Sequence, residues 1–192
     1  MKFSDLRRVA VTYWLLCAVC VPLSAAAGPY FDYATGLAAT PPKGSMYRPD
    51  LEAELLKLAN GYRAEEGRKP LAASDEFLIA ARAHAADMML NDFVGHTAST
   101  GQGFQSRMTA FAMDITRFPS IGENAARDTQ KGDADAAKAR RLFRQWVDSR
   151  PHRKNLVSKS FQFVSTGVIQ KGNRIWAVQI FFAAPRQKGL FQ

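Results

Sequence analysis

His96, Glu123 and His152 are the residues of this chain whose types could do chemistry together. His96 follows Phe93-Val94-Gly95, Glu123 is the centre of Gly122-Glu123-Asn124, and His152 closes Trp146-Val147-Asp148-Ser149-Arg150-Pro151. The chain has only three histidines, so two of them in such contexts call for an explanation. Two imidazoles and a carboxylate could ligate a divalent metal ion or move protons near neutral pH. Spacing does not show that they meet: 27 and 29 residues separate them, and no His-x-x-x-His pair is present for a helix to align.

Ser149 and His152, with Glu123 orienting the imidazole, would be the parts of a serine hydrolase. Ser149 falls at an expected helix end and no oxyanion loop is evident, so that chemistry is disfavoured. His84 shares an apolar helical face with Phe77, Ala81 and Met88, the setting of an ordinary core histidine. Arg107 and Asn124 read as architectural, an arginine to bridge carboxylates or carbonyls and an asparagine to tie irregular backbone. Trp146 and Trp176 read as core.

The elements that must position these residues can be read from periodicity. Leu51, Leu55 and Leu58 recur at helical spacing behind Asp50 as N-cap, with an end near Gly67 and Lys69-Pro70 as the stop. A second, alanine-rich helix is predicted from Ser74 to about Asn91, its small side chains allowing another element to approach closely. His96 then lies in a loop over 95–103, before a short helix near Gln105–Met113. Pro119 and Gly122 predict an irregular segment over 118–124. A long helix capped by Asp133 or Asp135 runs through Asp148 with Ala139, Leu142, Phe143 and Trp146 on one face, and Pro151 stops it. Residues 163–170 and 174–183, rich in valine, isoleucine and aromatics around Lys171-Gly172-Asn173, predict a β-hairpin. Helices first and strands last, without βαβ alternation, make the fold class α+β.

Residues 1–27 read as a secretory signal peptide: Lys2, Arg7 and Arg8, an apolar run over Val9–Leu23, then Ser24-Ala25-Ala26-Ala27. The run is shorter than the roughly 20 residues of a spanning helix, so no transmembrane segment is expected in the processed chain, which is placed outside the cytoplasm, secreted or periplasmic. Both cysteines, Cys17 and Cys20, fall in this leader, so the domain must be held by its core without disulfides. Processing leaves 23 of the 26 basic and 16 of the 17 acidic residues, a net +7. Residues 28–49, with four prolines and three glycines, read as a linker or loosely packed arm whose Tyr30, Phe31, Tyr33 and Tyr47 could dock. Residues 50–185 form the domain and 186–192 a tail.

Lys138, Arg140, Arg141, Arg144, Arg150, Arg153, Lys154 and Lys159 put eight cations in 22 residues against the single acid Asp148. Such a run reads first as a solvated face, and as a function it would attract an anionic envelope component or lipid headgroup. Export and the absence of a base-reading module exclude nucleic acid as the expected partner.

Taken in order, the motifs resemble the CAP superfamily of cysteine-rich secretory, antigen 5 and pathogenesis-related 1 proteins (the SCP domain), in its short bacterial form. They are Asn60-x-x-Arg63 with Gly67 and Leu71, Ala81-x-x-His84-Ala85-x-Asp87-Met88, His96-Thr97-x-x-x-Gly101 with Arg107, Gly122-Glu123-Asn124, Trp146-x-x-Ser149-x-x-His152-Arg153-x-Asn155-Leu156, and the closing Phe161, Gly167-Val168, Trp176 and Gln179. The resemblance spans about residues 51–183. It implies a three-layer α-β-α sandwich with a cleft lined by His96, Glu123 and His152. Ser149 stands where a second glutamate is usual. It also implies a divalent ion as the one cofactor, held by His96, Glu123 and His152, and a ligand-binding role toward a lipid, a sterol-like molecule or an envelope component. A metal-assisted hydrolase or peptidase is the alternative, and the missing second carboxylate tips the expectation from catalysis toward binding.

Overall fold

The computed structural model describes residues 28–112 and 114–186. The expected signal peptide and nearly all of the expected tail lie outside them. The architecture grows from the predicted hairpin. Strands β4 (Phe163–Lys171) and β5 (Arg174–Phe182) pair antiparallel from Lys171↔Arg174 to Phe163↔Phe182, leaving a two-residue turn. Gly172 takes φ +58 there, a conformation that costs glycine nothing. Strand β1 (Ser45–Tyr47) adds antiparallel to β4, β2 (Ala72–Ala73) adds parallel to it, and β3 (Ile121–Asp128) runs antiparallel along β5. The order β1-β4-β5-β3 leaves β3 on an edge.

Period-two alternation divides the sheet residues between two cores. Val164, Val168, Ile175, Ala177 and Phe181 face helices α2 (Pro49–Glu65), α5 (Ala136–Asp148) and α6 (Arg150–Leu156). Ile169, Trp176, Val178, Ile180 and Phe182 face α3 (Leu78–Leu90) and α4 (Phe104–Phe111). The expected α-β-α sandwich is therefore present. Helix α5 buries Ala139, Leu142, Phe143 and Trp146, one stripe at spacings of three and four. Helix α3 is buried nearly all round, because the sheet covers one side and a further helix, α1 (Pro29–Ala39), covers the other.

Several local expectations are corrected. The start of the segment read as a linker is helix α1, with proline at its first position, where a missing N–H is harmless. It buries Tyr30 and Ala34, and Tyr30 meets Phe111 edge-on at 6.4 Å. Pro49, not Asp50, opens α2, and Asp50 instead accepts from Arg48 Nε at 2.8 Å. Pro151 lies at the start of α6 instead of ending α5. The segment read as irregular becomes strand β3 from Ile121 onward. Lys138 does not belong to a solvated face: it is fully buried, and its ammonium donates to the carbonyls of Gln130, Gly132 and Asn173. Among the described residues no helix is long and apolar enough to cross a membrane.

Candidate functional site at the edge of the sheet

Glu123 and Asn124 are neighbours on an edge strand, so their side chains enter opposite layers. Glu123 points into the α3–α4 side, where its side chain is 1% exposed. There Arg107 Nη2 lies 2.8 Å from each carboxylate oxygen, and the Arg107 side chain is wholly buried. The same nitrogen donates to the His96 carbonyl at 3.2 Å. His96 Nδ1 lies 2.8 Å from Glu123 Oε1 while half of its side chain stays open to solvent. The carboxylate thus fixes the imidazole by one nitrogen while the ring as a whole stays half open to solvent.

Asn124 points the other way. Its Nδ2 donates to the His152 carbonyl at 3.1 Å, and its Oδ1 accepts from Asn155 Nδ2 at 2.9 Å. Asn155 also donates to the Glu123 carbonyl at 3.1 Å. This bracket seats α6 against β3 and brings His152 round the sheet edge. The His96 and His152 rings stand 5.9 Å apart between centroids, at 64°. Two layers that belong to separate cores therefore present one imidazole each at the same edge.

The loop that carries His96 is held at both ends. His84 Nε2 lies 2.8 Å from the carbonyl of Gly95, so the buried histidine anchors the residue just before His96. Asp87, also buried, accepts from Tyr33 Oη and from the Ser99 N–H, both at 2.8 Å, and from Asn91 Nδ2 at 2.9 Å. Helix α1 is in this way tied to the His96 loop. A single bridge between Thr97 and Gly103 closes that loop.

The electrostatics follow from these contacts. The hydrogen bond to Glu123 raises the pKa of His96 above its ordinary value, against the opposing effect of partial burial. Burial lowers that of His152, and the neighbouring His96 lowers it further. Burial likewise lowers that of His84. For Glu123, burial pushes upward, but the His96 bond, the Arg107 charge and hydrogen bond and the His84 charge together outweigh it and hold the carboxyl below its ordinary range. Burial pushes the Tyr30 phenol up to about 12, with Arg107 acting against it.

Beside the histidines, a groove of about 590 Å³ runs along β3, lined by Val94, Ala125, Gln145, Trp146, Ser149 and His152 among others. Ser149, at the junction of α5 and α6, reaches this groove, but its hydroxyl bonds to neither imidazole, so no nucleophile–base pair forms. Glu123 is walled off behind His96. The trio does not fit the three-ligand metal site expected of it. Both carboxylate oxygens and His96 Nδ1 are already engaged, and an ion would have to displace a buried guanidinium. Among the described residues no set of three or more histidine, cysteine, aspartate or glutamate side chains is disposed to hold a metal. Arg107 in its full role, and Asn155 as the bracket, were not evident from spacing.

Comparison with known proteins agrees with this fold. The family model for the cysteine-rich secretory protein family, CAP, matches residues 56–181. The Bacillus subtilis (strain 168) protein YkwD is 29% identical over 128 residues, 67% of this chain and 46% of the relative, so the chain spans about half the length of the curated relative it matches. Among solved structures, an extracellular protein containing an SCP domain from Bacillus anthracis superposes with TM-score 0.54 at 23% identity, over 68% of this chain and 39% of that one. An outer surface protein from Borrelia burgdorferi gives TM-score 0.61 at 16% identity, over 74% of this chain and 99% of that one. At these identities the structures speak for the fold alone, while the match to the family model covers well over half the chain. This chain, with no cysteine among its described residues, belongs to the cysteine-rich secretory protein (CAP) family.

Proposed function

We propose that the protein is an extracytoplasmic binding protein whose sheet-edge groove receives a polar, hydrogen-bonding component of the cell envelope. The observation that carries this reading is the chemistry of the groove wall. Asn155 donates to the carbonyl of Glu123 and Gln145 Nε2 to that of Arg127. Both carbonyls therefore face away from β5, and by the two-residue period the N–H and C=O of Ala125 between them do too. Gln145, Ser149 and His152 add side-chain donors and acceptors along the same wall. A lipid tail would leave these groups unpaired, which costs about 1–3 kcal/mol for each buried group. A polar chain would pair with them. Between the lipid, sterol-like and envelope ligands expected from sequence, this wall favours the last.

Release from the cytoplasm is part of the same proposal. It is supported by the leader-like first 27 residues and by the extracellular and outer-surface relatives. The test is titration with soluble peptidoglycan fragments, followed by NMR. Saturable shifts at Val94, Ala125, Ser149 and His152, weakened in a Gln145→Ala/Ser149→Ala variant, are expected. If those resonances respond to palmitate and not to the fragments, the polar reading is wrong.

A further inference from the structure

Away from the groove, and sharing no residue with it, lies a second pocket of about 460 Å³ between the end of α2 and the segment leading into β4. Arg63, Arg68, Lys69, Lys159, Phe161 and Gln162 are among its lining residues. Arg63 is 1% exposed. It donates through Nε to the Lys69 carbonyl at 2.7 Å and through Nη1 to the carbonyls of Leu156 and Ser158 at 2.6 and 3.0 Å. Arg68 Nε donates to the Val157 carbonyl at 2.9 Å. Two arginines therefore clamp one wall of the pocket to the other.

What these arginines lack is a counter-charge. Carbonyl dipoles satisfy three donors of Arg63 but leave its full positive charge, and among the described residues no hydrogen bond engages Nη2. Among the described residues, none of Arg63, Arg68, Lys69 and Lys159 takes part in an ion pair, although Arg48, Arg82, Arg107, Arg127, Arg140 and Arg141 all do. The last carbonyls of α2 do not supply the missing charge, because Tyr62, Arg63 and Ala64 already bond to the N–H groups of Glu66, Arg68 and Gly67. A buried guanidinium without a carboxylate is costly, and a second arginine beside it adds repulsion. Burial and Arg68 both bear on Arg63 in the unfavourable sense.

We infer that this pocket is an oxyanion site that takes a phosphate-class group, with the Nη2 edge of Arg63 at its floor and Arg68, Lys69 and Lys159 at its rim. A tetrahedral oxyanion has enough acceptors for several of these donors at once, and charge-assisted bonds of that kind are the strong ones. Phe161 is nearly buried and stacks on Phe181 with centroids 5.7 Å apart, giving the pocket a rigid apolar side. The anion could be free in solution or carried by a phospholipid headgroup.

The test uses the purified protein at low ionic strength with inorganic phosphate and pyrophosphate as probes, chloride serving as the control. Saturable NMR perturbations are expected at the Arg63 Nε–H and at residues 67–70 and 159–162. Lys69→Gln/Lys159→Gln, both exposed on the rim and neither side chain part of the clamp, should weaken binding about tenfold. Arg144→Gln, on the exposed face of α5, should leave it unchanged. Arg63→Gln removes the clamp as well as the charge, so the rim variant carries the test. Sedimentation with phosphatidylglycerol vesicles, against phosphatidylcholine alone, separates the two sources. Binding to the anionic vesicles that is lost in the rim variant assigns the site to a headgroup; phosphate binding without vesicle binding assigns it to a soluble anion. The inference is overturned if neither probe perturbs the pocket, if all exposed cations respond alike, or if the rim variant binds as tightly as the wild type.

Discussion

A single nitrogen of Arg107 stands 2.8 Å from both carboxylate oxygens of Glu123, with neither side chain more than 1% exposed. The carboxylate most diagnostic of the sequence motif is thereby committed inside the protein. Its negative charge is neutralised by the guanidinium and its remaining hydrogen-bonding capacity orients His96. The pair belongs to the architecture of the site more than to its reactive surface.

Breaking this pair from one side should be expensive. Arg107→Met would leave a buried carboxylate without a counter-charge, a loss of about 3–5 kcal/mol of stability. Adding Glu123→Gln removes that charge and should recover part of the loss. Denaturant unfolding of both single variants and the double variant measures the coupling. Purely additive losses would show that the two residues do not act as a pair.

The three histidines should titrate in different directions, and NMR can follow each ring. The pKa of His96 lies above its ordinary value and those of His152 and His84 below theirs. The stabilisation from His96 is therefore complete below its unfolded pKa of about 6.5 and is lost as pH rises through the higher folded value. For His152 and His84 the sign reverses: neutral rings suit the fold, and stability falls as pH drops below about 6.5 toward their folded values. The depressed Glu123 adds stability present above its ordinary pKa of 4.5 and lost as pH falls through the folded one. Glu123→Gln should bring the His96 titration back down. An unchanged His96 curve in that variant would mean that the carboxylate does not set it.

The parts of this site differed in how far sequence could reveal them. The hairpin was legible because valine, isoleucine and aromatics flank a glycine that needs positive φ. Strand β3 was not, since Glu123, Asn124 and Asp128 interrupt its apolar pattern. Those polar residues are buried by partners from distant segments: Arg107 for Glu123, Asn155 for Asn124 and Arg141 for Asp128. Helix α1 was hidden by Gly28 and Pro29, which open a helix as readily as they interrupt one. Lys138 looked like surface charge because the carbonyls that bury it lie up to 35 residues away, and nothing in the sequence showed that carbonyls up to 95 residues away bury Arg63. The meeting of His96 with His152 was implied by the family resemblance and not by spacing, because each approaches the sheet edge from a different layer.

A divalent ion should not find the expected trio. With Glu123 held by Arg107, zinc titration by calorimetry should give no saturable heat that Glu123→Gln abolishes. Any binding should depend on the two imidazoles and fall in His96→Ala and His152→Ala. A zinc site lost in Glu123→Gln, with folding intact, would restore the carboxylate as a ligand and contradict the arrangement described above.

The tight approach between helix and sheet makes the last prediction. Gly167 lies in β4 beneath α3, between Ser165, whose hydroxyl accepts from the Phe77 N–H at 3.1 Å and donates to the Ser74 carbonyl at 2.7 Å, and Ile169. A methyl group at Gly167 would sit 2.4 Å from the Arg82 nitrogen and 2.5 Å from the Ala81 carbonyl carbon. Both are backbone atoms, so no rotamer change relieves the overlap and α3 itself must lift. That helix carries His84 and Asp87, the two anchors of the His96 loop, so the displacement should reach the site. Gly167→Ala should cost about 1–3 kcal/mol and lower Tm by several degrees. It should also loosen the Ser99 amide, measured as faster hydrogen exchange, because that N–H is held by Asp87. Gly61→Ala, on α2 where an added methyl meets nothing within 4 Å, is the control and should not lower stability. If the two variants melt together, the contact between α3 and β4 is not as close as described.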